Sequence, residues 1–220
     1  VNSGNKTTVT FTKDTIAATL RYFYRIPATA KGKEVSFKFS VTASNGQTVS
    51  YSMGPYKIAE MDMVLDLAVK DNDAAYISIE DMAVYGAAAA ATNAAKIDLV
   101  YLYRVIPNIT FTHGLVAPSA KTYLPGVTLP AGVNRTAKVN KVWALRDFHL
   151  ARLQYGIYID DVDFQQLDIS NSPDYAINLR AESGVWVETA DGKYRAYIYV
   201  NSIDNAGKSA KISIKRYTMK

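Results

Sequence analysis

Four aspartates crowd one short stretch, "IDDVDFQQLD": Asp160, Asp161, Asp163 and Asp168. Hard oxygen donors clustered in a loop suit calcium, so Asp160, Asp161 and Asp163 are candidate metal ligands. The stretch lacks the glycine at the sixth position and the glutamate at the twelfth of an EF-hand loop. In an extended chain Asp161 and Asp163 share a face, and the plainer reading is a solvated strand end running into a capped turn. The carboxylates of 160–168 are also those a polysaccharide hydrolase would use, provided two of them converge in a cleft about 5–10 Å apart. Aromatic chemistry lies elsewhere. Trp186 points away from Val185 and Val187, beside Tyr197 across a hairpin, with Tyr199 the next outward residue. If that face is wet, Trp186, Tyr197 and Tyr199 form a platform for the flat face of a sugar. If another layer covers it, the same trio is core, which is the commoner fate. Trp143 is the other tryptophan candidate.

Other chemistries find little support. The two histidines, His113 and His149, have no carboxylate or second histidine at metal-ligand spacing. The chain has no cysteine, which excludes disulfides, zinc-thiolate sites and thiol nucleophiles. Neither a P-loop nor a Gly-x-Gly-x-x-Gly pattern occurs. "VKDNDAAY", with Asp71, Asn72 and Asp73, reads as a turn whose side chains bond their own backbone. The expectation is therefore a protein that is not an enzyme, with no catalytic residues and no cofactor beyond the calcium candidate. The formal net charge is +5, but the basic residues are scattered, and nucleic acid is not an expected partner. Their nearest cluster, Lys208, Lys211, Lys215, Arg216 and Lys220, follows strand alternation and reads as the wet face of an edge strand. No run approaches the eighteen apolar residues that span a bilayer, and no basic-then-apolar stretch opens the chain, so a signal peptide is absent or removed.

The elements that must position these residues are mostly strands. In "EVSFKFSVTASNGQTVSYSM" apolar residues alternate on both sides of Asn45-Gly46. A two-residue loop would turn the two apolar sets to opposite faces. A three-residue loop, Ser44-Asn45-Gly46, pairs Val41 with Val49 and Phe39 with Tyr51 and is the expected one. In "GVWVETADGKYRAYIYV" a two-residue type I′ turn at Asp191-Gly192 pairs Val187 with Ala196 and Val185 with Ile198. "SAKISIKRY" adds a third strand with Ala210, Ile212 and Ile214 inward and Lys211, Ser213 and Lys215 outward, a meander with one wet face. Further strands are read in "KTTVTFTKD", "ATLRYFYRIP", "MVLDLAV", "AAYISIED" and, apolar on both faces and so central, "KIDLVYLYRVI". Short helices are expected in "YGAAAAATNAAK", in "RDFHLARLQYG" with Phe148, Ala151 and Tyr155 on one face, and in "SPDYAINL" with Ser172 as N-cap. Residues 107–140, rich in Pro, Gly and Thr, read as a long irregular segment that is either disordered or functional. The tyrosines at alternate positions, Tyr22 and Tyr24, Tyr101 and Tyr103, Tyr197 and Tyr199, form ladders that usually pack across strands.

The fold class is mostly β (α+β). Residues 1–56 read as an immunoglobulin-like, antiparallel β-sandwich portion, complete or partial. Residues 57–220 read as a mixed, mainly antiparallel β domain with short helices.

The order of "YISIEDMAVYGAAAAATNAAKIDLVYLYR", "LVAPSA", "GVWVETADGKYRAYIYVNSI" and "KISIKRY" resembles a group of secreted or lipid-anchored surface proteins of Bacteroidetes of unknown function. In these an immunoglobulin-like domain ending in a strand like "KEVSFKFSVTASNGQTVSYS" precedes a mixed domain of this pattern. The resemblance implies an exported protein, at the outer surface or in the periplasm of a Gram-negative bacterium, and no established catalytic residues. It implies a lipoprotein anchor for some members. This chain has no cysteine to carry one, so outer-membrane association would need an anchor outside it. The expected role is binding or scaffolding in the envelope, with a glycan or another envelope protein as partner. The alternative is the hydrolase built on 160–168.

Overall fold

The computed structural model describes residues 8–13, 15–20, 28–106 and 111–219. The chain divides into two compact units, Val1–Ile58 and Ala59–Lys220. In the first, β1 (Glu34–Thr42) and β2 (Thr48–Lys57) form an antiparallel pair. Phe39 lies opposite Tyr51 and Val41 opposite Val49. The loop is the three-residue one, with Gly46 at φ +82°, a left-handed conformation glycine adopts without a Cβ clash. The opposite face pairs hydroxyls, Ser40 with Ser50 at 2.8 Å and Thr42 with Thr48 at 2.9 Å. The strand expected over 6–14 is absent from its described part, residues 8–13. Most of the one expected over 18–27 lies outside the described residues. Among the described residues this unit therefore holds a two-stranded sheet rather than four strands of a sandwich.

The second unit is a mostly antiparallel β structure of two five-stranded sheets. One has the order β3 (Met61–Lys70), β12 (Ser209–Thr218), β11 (Tyr194–Asp204), β10 (Ser183–Glu188), β8 (Lys138–Trp143). The other has the order β5 (Ala83–Tyr85), β4 (Tyr76–Ser78), β6 (Leu99–Leu102), β7 (Gly114–Val116), β9 (Tyr175–Ala176). They enclose an aliphatic core in which Val185, Val187, Ala196, Ile198, Ile212 and Ile214 meet Ile77, Leu99 and Leu115. The strand read as apolar on both faces, β6, is central: Leu99 and Tyr101 face that core, while Val100 and Leu102 face a second one on the far side. The second core is closed by α1 (Ala87–Thr92) and the 111–133 segment through Ala90, Phe111, Leu124 and Val133. The described part of 107–140 is thus a packed cover with its own strand, β7.

Two expected helices give way to tertiary partners. Over 172–179, β9 pairs with β7, and the Pro173 and Asp174 carbonyls accept from Val139 and Ala117 at 2.7 and 2.8 Å. An open sheet edge outcompeted the Ser-Pro helix start. Over 146–155 a single turn forms, with the Ala151 amide on the Asp147 carbonyl at 2.9 Å, and Arg152 at φ +51° ends it. The β10–β11 hairpin keeps its expected register but not its turn: in that loop only Gly192 is at positive φ, so the turn is not type I′. Instead the Asp191 carboxylate accepts from the Thr189 hydroxyl and the Lys193 amide at 2.7 and 3.0 Å.

Candidate functional site

The C-terminal meander has no wet face over most of its length. A third core lies on the sheet surface opposite the aliphatic one. There Trp186, Tyr197 and Tyr199 are buried, at 6%, 0% and 5% exposure, against Leu150, Ile159, Phe164 and Ile169. The Phe164 ring meets Trp186 edge-on at 5.3 Å, and Trp186 lies 4.7 Å from Tyr197. The sugar platform read at Trp186, Tyr197 and Tyr199 is therefore corrected: residues 144–169 lie over it. Lys215 and Ser213, expected outward, are buried with it, and β12 sits between β11 and β3 rather than at an edge.

This cover is mostly irregular, so much of its backbone cannot pair with itself, and buried carbonyls need donors from elsewhere. The sheet supplies them with side chains. The Tyr197 hydroxyl donates to the Leu145 carbonyl at 2.5 Å, the Asn201 amide to Leu150 at 3.0 Å, Lys215 Nζ to Ile159 at 3.0 Å, and Arg195 Nη1 to Phe164 at 2.5 Å. A Cβ on Gly184 would fall 1.8 Å from the Tyr197 hydroxyl, so only glycine lets that ring cross β10. Burial pushes the Tyr197 hydroxyl well above its ordinary range, which keeps it protonated as a donor.

The acidic segment serves the cover. Asp160 caps α2 (Asp161–Gln166): its carboxylate accepts from the Val162 and Asp163 amides at 3.0 and 3.3 Å, and Asp163 returns a bond from the Asp160 amide at 2.9 Å. This capping box is what the closely spaced aspartates do. Asp161 adds charge to the same first turn, where the helix dipole favours it. Asp168 accepts from the Ser170 amide and hydroxyl, which hold its carboxyl below the ordinary range. Among the described residues no group of three or more His, Asp or Glu side chains could hold a metal ion. Asp160 and Asp163 are engaged by the capping box, which corrects the calcium reading at Asp160, Asp161 and Asp163.

Asp147 is the fixed point of the cover. It is fully buried, and four donors converge on its carboxylate. The amides of His149 and Leu150 reach Oδ1 at 3.0 Å each. The Ile159 amide reaches Oδ2 at 2.9 Å and Lys215 Nζ reaches it at 2.6 Å. Burial raises the carboxyl's pKa, but Lys215 and the amides of Ile159 and Leu150 outweigh it and the net direction is down. Between these anchor points the chain makes a compact loop whose ends meet. The Phe148 amide bonds Ile157 and the Ile157 amide bonds Arg146, at 2.7 and 3.1 Å. Gly156 sits where a Cβ would come within 3.0 Å of the Arg146 carbonyl. Closed loops of this kind are often functional.

The loop shows three aromatic side chains to solvent, alongside Arg152, Gln154 and Ile157. Tyr155 is 84% and Tyr158 57% exposed, and His149 is exposed beside Tyr158. Phe148, His149 and Tyr158 form a mutual group with ring separations of 5.2 to 5.5 Å. Burial and Lys215 lower the His149 pKa, against the pull of Asp147. Sequence reasoning missed this group, and the signal was present: "FHLARLQYGIY" is dense in rings, but a helical reading split them between faces. Trp143 is 60% exposed at the end of the edge strand β8.

Two further polar groups have structural roles. His113 is buried between Tyr101, whose hydroxyl meets Nδ1 at 2.5 Å, and Asn205, whose Oδ1 meets Nε2 at 2.8 Å. A Tyr donor and an amide-oxygen acceptor fit a neutral imidazole, and burial lowers its pKa. Arg135, beside a shallow cleft bounded by Ala95, Gly132 and Ala190, pairs with Asp98 and Asp191, each at 3.3 Å. Burial raises Asp98 to about 6, against the opposing pull of the Ile79 amide and Arg135.

Residues 59–219 match a family described as a domain of unknown function, DUF8576, and the chain belongs to that family. Residues 1–58 match a second domain of unknown function, DUF4466. The chain is similar to the crystal structure of a DUF4466 family protein from Parabacteroides merdae ATCC 43184. The two are 46% identical with a TM-score of 0.71, over 95% of this chain and 70% of that one. No curated protein matches.

Proposed function

We propose that this is an exported, non-catalytic envelope protein that binds a glycan on the aromatic face of its 146–158 loop. The observation that carries the reading is the ring group of half-buried Phe148 with exposed His149 and Tyr158, and exposed Tyr155 on the same loop, which is tied down through Asp147. Flat rings with polar edges stack on sugar faces at low entropic cost when their backbone is already ordered. The kinship with a protein of a Bacteroidetes species supports an envelope location and agrees with the surface-protein resemblance. Lipid anchoring and an immunoglobulin-like first unit belong to the same reading.

The test is a pull-down of the purified protein on insoluble and soluble polysaccharides, scoring bound protein and released sugar. Binding without release, lost in Tyr158→Ala and kept in Trp143→Ala, supports the loop as the site. Released sugar would overturn the non-catalytic reading. Binding that survives Tyr158→Ala and Tyr155→Ala together would move the site elsewhere.

A further inference from the structure

We infer that the buried Asp147–Lys215 pair is a latch that holds the aromatic loop in its ligand-receptive shape while touching no ligand itself. The inference rests on the glycan reading for what the loop binds, and on geometry alone for what holds the loop.

The latch joins two unlike parts. Lys215 belongs to β12, which is hydrogen-bonded to strands on both sides, opposite Tyr197 on β11 and Met63 on β3. Asp147 belongs to the neck of an irregular loop. Its one carboxylate gathers amides from both ends of that loop, His149 and Leu150 at the start and Ile159 just past the close. Lys215 bonds the carboxylate and also the Ile159 carbonyl, so its ammonium ties both ends of the loop to the sheet. Both side chains are buried, at 3% and 0% exposure. Two of the three rings in mutual contact, Phe148 and His149, directly follow Asp147, and the third, Tyr158, directly precedes Ile159. The bonds that close the latch therefore set the spacing of the rings.

Removing one partner of such a pair leaves the other charged and buried, which is much worse than never having had the pair. In Lys215→Met the Asp147 carboxylate keeps its three amides but loses its counter-ion, and it gains by drawing water and opening the neck. Ligand affinity falls because the rings must be ordered during binding rather than before it.

The experiment combines hydrogen exchange, read by peptide mass, with affinity electrophoresis in gels containing xylan, a soluble β-glucan or pectin. In Lys215→Met, exchange in peptides over 146–159 should rise tenfold or more, while β11 peptides remain as in wild type. Affinity for whichever polymer retards wild type should fall at least tenfold. Lys215→Arg, which keeps a cation, should recover most of both. Unchanged loop exchange, or faster exchange with unchanged affinity, overturns the latch. A Lys215→Arg protein as impaired as Lys215→Met overturns the ion-pair assignment in favour of shape. Should Lys215→Met not fold, wild type in graded urea decides. The amides of His149, Leu150 and Ile159 should open together, below the opening of β11, because one carboxylate holds all three. Separate opening overturns the inference. If wild type is retarded by no polymer, the glycan reading fails by itself and the exchange results still judge the latch.

Discussion

The two faces of the β3-β12-β11-β10-β8 sheet are built from the same strands by different rules. Toward the other sheet, β11 and β12 present Ala196, Ile198, Val200, Ala210, Ile212 and Ile214. Toward the cover they present Tyr197, Tyr199, Asn201, Ser213 and Lys215. The first face meets a layer whose backbone is already paired, so non-directional aliphatic packing is enough. The second meets a segment with few backbone pairs, so its long side chains must also deliver hydrogen bonds. The difference teaches that alternation of apolar and polar residues marks two faces but does not say which is wet. A polar face can be the inner surface of an irregular layer.

Mutations can break this comparison. The largest expected effect is at Trp186. Trp186→Ala removes the ring between Phe164 and Tyr197 and should cost about 3–5 kcal/mol in urea unfolding. Affinity per folded molecule should not change. A loss of binding without loss of stability would return the site to this face. Next is Ile198→Ala on the aliphatic side, about 2–4 kcal/mol. Its signature should be faster exchange in both sheets, since it opens the core they share. Exchange confined to 144–169 would mean that the faces are not separable. Smaller is Tyr197→Phe, about 1–2 kcal/mol, which leaves the Leu145 carbonyl without its donor. Here only the start of the cover should exchange faster.

The last effect is nil at neutral pH and appears in acid. The folded pKa of Asp147 lies below the ordinary 3.8, so its stabilising contribution is full above about pH 4 and is lost as pH falls through the folded value. The aliphatic face carries no such group. Acid titration should therefore change tryptophan fluorescence, through release of Trp186, before far-UV circular dichroism changes. Trp143 is already exposed and contributes little. Coincident transitions would show that cover and sheet unfold as one.

Much of the fold could be read locally. Register followed from keeping apolar residues on one face, which placed Phe39 opposite Tyr51 and Val187 opposite Ala196. The doubly apolar "IDLVYL" run identified β6 as buried on both sides. The candidate site was less legible. Lys215 looked like any outward lysine on a strand, and its partner Asp147 is 68 positions away. The aspartates of 160–168 were visible as a cluster, but capping and chelation use the same residue types, and only the start of α2 separates them.

By itself, then, the sequence determined the longer alternating strands, the registers of the β1–β2 and β10–β11 hairpins and the segregation of apolar from polar faces, because those depend on side-chain alternation and turn length over a few residues. The tertiary structure decided which layer lies over each face. That choice rests on long-range contacts, in which the segment between β8 and α2 had to find donors for its backbone. It found them on the sheet, buried the rings of Trp186, Tyr197 and Tyr199, and left those of His149, Tyr155 and Tyr158 in water.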